Sequence, residues 1–166
     1  MLPRPAYSNH TSNLPAHIAT YMLNHADECP EYVTTAEELL RFAEDQFVTW
    51  ERPQVYKDVF VPSVAEQYVC GAVNYSVATH MAASARAYQV TGKPIFLAKA
   101  QTLADALTQI QHCSNGWYPT WWRSGQDHAW WINCVADCAL LMCQVGEMMW
   151  AARPASAAPL SQSENR

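Results

Sequence analysis

Residues 74–111, NYSVATHMAASARAYQVTGKPIFLAKAQTLADALTQIQ, decide the fold class. Val77, Met81, Ala85 and Tyr88 recur at helical spacing across Tyr75 to Thr91, behind Asn74 as a natural cap. Leu97, Ala100, Leu103, Leu107 and Ile110 do the same from Pro94 to Gln111. Between the two runs, Gly92 suits the left-handed position that ends a helix, and Pro94 suits the first turn of the next. Two helices joined by so short a link must turn back on each other, which makes an αα-hairpin. The sequence therefore predicts an all-α protein of antiparallel helical hairpins.

The same signals extend upstream. A first helix is expected from Asn13, with Pro15 in its first turn and Ile18, Met22 and Ala26 on one face, to about Asp27. Cys29-Pro30 ends it. Thr35 and Glu38 have the spacing of a capping box, opening a second helix whose stripe is Ala36, Leu39, Leu40, Ala43, Phe47 and Trp50. Downstream, a fifth helix is expected from Ala129 to Ala151. It is apolar nearly all round, so it should be buried on every side. Residues 1–13 read as a flexible N-terminus and 153–166, RPASAAPLSQSENR, as a disordered tail, which leaves 14–152 as one helical-hairpin domain.

Two longer segments interrupt the helices. Residues 51–74 form a connection long enough to suggest function, with short β pieces such as Val59–Val61 possible within it. Residues 113–133, CSNGWYPTWWRSGQDHAWWIN, hold five of the seven tryptophans. Antiparallel helices alternate direction, so both segments should lie at one end, over the starts of helices three and five. One shared site is the expected result.

Composition narrows the function classes. A length of 166 residues suits one domain, and with half its residues hydrophobic and 15% charged the chain is not a disordered polymer. A formal charge of -5 without a Lys/Arg cluster argues against nucleic-acid binding. No apolar run stands out at the roughly 18 residues a membrane span needs. The first residues lack the apolar core of a secretory signal, so a cytoplasmic location is expected. The six cysteines read as free thiols, since three fall in one helical segment. Cys134 and Cys138 share a helix face while Cys143 is rotated away. With no CxxC motif and no nearby histidine pair, no metal site is expected. His17, His25 and His80 read as surface or satisfied core histidines. Nucleophile elbows, phosphate loops and dinucleotide fingerprints are absent.

LLRFAEDQFVTWERP (39–53), VPSVAEQYVCGAVNYSVATHMAASARAY (61–88), TGKPIFLAKAQTLADALTQIQ (91–111), GWYPTWWR (116–123) and WWINCVADCALLM (130–142) together resemble six-hairpin, (α/α)6-toroid glycosidase-like proteins, in their C-terminal portion. The pieces FAEDQFVTWERP and GWYPTWW carry most of the likeness, which covers roughly residues 30–150. The resemblance implies a partial toroid, a carbohydrate substrate and glycoside hydrolysis, with the loops before inner helices lining the sugar cleft. This chain departs from the pattern in having about five long helices, half a toroid or less. Helix five has no sequential partner, so a homo-oligomer is expected, or a piece of a longer protein.

The candidate residues follow from the chemistry. Indole and phenol rings stack on the apolar faces of sugars or pack between hairpins, and Trp117, Tyr118, Trp121, Trp122, Trp130 and Trp131 are open to both readings. Arg123, Gln67 and Tyr68 would help hold the sugar. Glycoside hydrolysis needs two carboxyl groups. Glu66, among Val64, Ala65, Tyr68 and Val69, is the candidate acid, because apolar surroundings raise a carboxyl pKa. Asp127 or Glu51 would be the second, although Asp127 also reads as a helix cap. Asp45 reads as a solvated helix position or an ion pair with Arg41. Hydrolysis requires no organic cofactor. The rival function is a non-catalytic carbohydrate-binding or assembly module. Sugar epimerisation on the same scaffold would want histidines in the cleft, where only His128 is available.

Overall fold

A computed structural model of the chain describes residues 12–51, 61–65, 73–111, 116–120 and 131–151. The fold is all-α among these residues: α1 (Asn13–Asn24), α2 (Glu31–Phe47), α3 (Asn74–Thr91), α4 (Pro94–Ile110) and α5 (Ile132–Ala151). A minimal antiparallel pair, β1 (Val48–Thr49) and β2 (Ser63–Val64), joins Val48 to Val64 and Thr49 to Ser63. The predicted α3–α4 hairpin is present. Gly92 takes the left-handed conformation (φ 67°, ψ 4°), its N–H donates to the Tyr88 carbonyl at 2.7 Å, and Pro94 starts the next helix.

The rod at the centre is α3, not α5. Eleven of its eighteen residues are buried. Val77, Ala78, Met81 and Ala85 share a core with Leu103 and Leu107 of α4 and with Val135, Cys138 and Val145 of α5. Ala83 and Ala87 join Ala16, Ala19 and Leu23 of α1 and Ala36 and Leu40 of α2 in a second core. Small side chains let neighbouring helices approach closely on several sides at once, and alanine costs nothing in helix propensity. The more apolar α5 packs chiefly on α3. It leaves Ile132 and Leu140 at 69% and 56% exposure, so the expectation of burial on every side fails. Its Ile132–Met149 stretch is also long and apolar enough to cross a membrane by length and composition, against the expectation that no such run exists.

Other boundaries shift for local reasons. The second helix begins a turn before the Thr35–Glu38 box, directly after Pro30, with Glu31 favourably placed at the positive helix start. It ends at Phe47, where the chain becomes extended and pairs as β1. The first helix stops at Asn24, and Arg86 of α3 donates from a guanidinium nitrogen to the Leu23 carbonyl at 3.2 Å. The fifth starts at Ile132 rather than Ala129. Val59 and Phe60, where a β piece was expected, lie outside the described residues, as do 1–11 and 152–166. Among the cysteines, Cys29, Cys134, Cys138 and Cys143 are free thiols, and burial pushes the Cys138 thiol pKa upward. Cys70 and Cys113 fall outside the described residues.

Residues 12 and 13, expected to belong to a loose N-terminus, are fully buried. The Ser12 hydroxyl donates to Ser76 Oγ at 3.3 Å, and the Ser12 carbonyl accepts from His80 Nε2 at 3.0 Å. A carbonyl only accepts, so Nε2 carries the proton and Nδ1 the lone pair. Burial lowers the His80 pKa from 6.5 to about 4, opposed by the Ser12 bond. In the unfolded chain this imidazole takes up a proton below about pH 6.5, whereas the folded state holds it neutral to about pH 4. Its contribution to stability is therefore complete above that window and is lost as pH falls through it, by up to about 3 kcal/mol. Urea unfolding at pH 7 and pH 4.5 should show this slope, and His80→Gln should flatten it. An equal slope in the variant would contradict the assignment.

Candidate functional site

The described residues of the two long segments meet at the start of α3, and Asn74 is the residue that joins them. Sequence reasoning placed Asn74 as a cap. It is instead the first helical residue, following an extended Val73 (φ -131°, ψ 145°). Its Oδ1 accepts from the Tyr75 N–H at 2.6 Å, which satisfies one of the donors left open at any helix start. Its backbone N–H donates to the Thr120 carbonyl at 3.1 Å, and its Nδ2 donates to the Tyr118 carbonyl at 3.3 Å. Asn74 and Thr120 are both fully buried. An uncompensated polar group at that depth is costly, so each bond constrains the segment it reaches.

The aromatic segment is held at further points. Thr120 Oγ1 accepts from the Trp131 N–H at 2.8 Å, which ties it to the entry of α5. Gln111 Nε2, just past α4, donates to the Gly116 carbonyl at 2.6 Å. Gly116 has φ +71°, a conformation that side-chain-bearing residues rarely adopt. From the other side, the Val73 N–H donates to the Val64 carbonyl at 3.3 Å and the Ala65 N–H to the Phe47 carbonyl at 2.9 Å. Residues 64 and 120, which lead into the two segments, are thus bonded to adjacent residues of one helix start. This is the convergence that alternating helix direction predicted.

The rings divide between the two readings. Tyr118 is buried at 6% exposure in the α3–α4–α5 core, and burial raises its phenol pKa. It is a plug. Trp117 and Trp131 are exposed at 41% and 47%. Both are tied to Thr120, Trp117 by the chain and Trp131 by its N–H, so the backbone of each exposed indole is anchored near the start of α3. Glu51 is exposed, two residues beyond β1. Asp45 is an exposed helix position, and its ion pair with Arg41 is not formed. Glu66, Gln67, Tyr68, Trp121, Trp122, Arg123, Asp127, His128 and Trp130 lie outside the described residues.

Sequence reasoning missed a second concavity. A cleft of about 240 Å³ opens between α2 and α4 with α3 beneath, lined in part by Glu44, Trp50, His80, Ser84 and Lys99. A signal was present: Glu37 and Glu44 on α2 face Lys93 and Lys99 at the start of α4, opposite charges at nearly equal spacing on two helices that flank α3. Only the tertiary pairing turns those charges into walls. Among known proteins, no family model matches the chain and no curated protein is a significant relative.

If Asn74 holds the mouth together, Asn74→Ala strands the Tyr118 carbonyl and should cost about 1–3 kcal/mol in urea unfolding. Limited proteolysis should then cut first between residues 111 and 131. Unchanged stability with unchanged cleavage would remove Asn74 from that role.

Proposed function

We propose that the chain is a carbohydrate-active protein of glycoside hydrolase type, its helices forming part of an (α/α)6 toroid and its sugar lying across the mouth at the start of α3. The observation that carries this reading is the pair of exposed indoles, Trp117 and Trp131, on backbone fixed by Thr120 and Asn74. A flat, exposed ring on a rigid support stacks on the apolar face of a sugar with little ordering cost. Val64 and Val73, which flank the segment that carries Glu66, are bonded to each other beside Asn74. In the hydrolytic mechanism Glu66 protonates the leaving oxygen, and Asp127 or Glu51 acts as base or nucleophile. Tyr68, Gln67, Trp121, Trp122, Arg123 and Trp130 orient the ring. No organic cofactor takes part.

Purified protein assayed against aryl glycosides and oligosaccharides, with binding recorded alongside turnover, tests this directly. Hydrolysis that vanishes in Glu66→Gln while binding remains is the expected result. Trp117→Ala should weaken binding by about 3- to 10-fold. Binding without turnover would make the chain a non-catalytic module, and binding indifferent to Trp117 and Trp131 would remove the mouth as the site.

We further propose that a second copy covers the open side of α5, where Ile132 and Leu140 face solvent. Sedimentation equilibrium should give a dimer or larger species that Leu140→Lys dissociates. A monomeric parent protein would contradict it.

A further inference from the structure

The cleft between α2 and α4 has the makings of a second binding site, independent of the mouth. None of residues 116–120 or 131 lines it. Two ion pairs span its rims, Glu37–Lys93 at 2.6 Å and Glu44–Lys99, and Trp50 Nε1 donates to Glu44 Oε1 at 2.9 Å. These contacts neutralise four charges and fix the walls apart. Leu40 and Phe96 supply apolar surface between them.

The floor is polar and incompletely satisfied. His80 and Ser84, one turn apart on α3, are 4% and 8% exposed. His80 spends its Nε2 proton on the Ser12 carbonyl, so its Nδ1 is an acceptor with no partner among the described residues. The Ser84 hydroxyl likewise has none among them. Both residues line the cleft, where these polar atoms meet solvent or a ligand. At the rim, Arg41 is exposed and makes no ion pair among the described residues. Of five charged side chains lining the cleft, it alone is unmatched, which leaves a net charge of +1.

A fitting ligand needs hydroxyl groups to donate to Nδ1 and exchange bonds with Ser84, and one negative group to meet the Arg41 fork. A neutral polyol leaves Arg41 unused. A cationic ligand is opposed by the surplus charge, and a dianion finds one unmatched cation where it wants two. We infer that this cleft binds a small polyhydroxy carboxylate, its hydroxyls on His80 and Ser84 and its carboxylate on Arg41.

Calorimetric titration of the full chain with gluconate, glucitol and hexanoate at matched ionic strength separates the contributions. Gluconate should bind at least about tenfold more tightly than either of the others, because glucitol lacks the charge-assisted contact to Arg41 and hexanoate lacks the hydroxyls that meet His80 and Ser84. Arg41→Gln alters an exposed residue and should bring gluconate down to the level of glucitol. Ser84→Ala, with its melting checked against the parent, should weaken gluconate severalfold while Trp117→Ala leaves it unchanged. No gluconate binding up to tens of millimolar, hexanoate binding equally well, or affinity that survives Arg41→Gln would each overturn the assignment. These outcomes leave the mouth untouched, because its own ligand is read out through Trp117.

Discussion

The hydrogen bonds of Asn74 are the constraint on which the arrangement depends. The first turn of any helix leaves backbone donors without partners, and here that turn is buried. Asn74 solves the local problem by accepting from Tyr75, and the structural one by donating from both nitrogens to the 118–120 backbone. An asparagine is short enough for the neighbouring segment to lie directly against the helix, and it carries donors and an acceptor together. One residue earlier, the Val73 N–H donates to the Val64 carbonyl and ties in the chain from β2. One helix start thereby brings together two stretches of chain more than forty residues apart.

That geometry depends on α3 being a thin rod. Alanine and serine cover much of its surface, so α1, α2, α4 and α5 can all rest on it and form two cores instead of one. The same thinness leaves a gap where α2 and α4 flank it, and the gap holds the His80 and Ser84 side chains. His80 is neutral because it is buried, and its tautomer is set by a carbonyl from the residue preceding α1. The residue that precedes α1 therefore acts on the chemistry of the α2–α4 cleft, and the residue that precedes α5 is tied to Thr120 through the Trp131 amide.

Local signals made the hairpin legible. Gly92 and Pro94 mark its turn because each has a backbone geometry other residues adopt less readily, and the apolar spacing of Val77 to Ile110 supplies the rest. The shared end of the two long segments was legible too, because it follows from antiparallel connection alone. What sequence could not reveal was which helix becomes the centre. Apolarity pointed to α5, but the helix that several neighbours can surround is the one with small side chains, and α3 is that helix. The Thr35–Glu38 spacing was a true local pattern outweighed by Pro30 upstream. The division of the aromatic segment into a buried Tyr118 and exposed Trp117 turns on the left-handed Gly116 beside them and on tertiary bonds, neither of which periodicity contains.

Residue-resolved amide hydrogen exchange on the intact chain is the most direct test of the convergence. The amides of Val73, Asn74 and Trp131 have partners in other segments of the chain, so they should exchange as slowly as that of Val77 inside α3, all through one cooperative opening. Exchange of Asn74 and Trp131 near the rate of an unstructured peptide, with Val77 still protected, would show that the two segments do not meet at the head of α3.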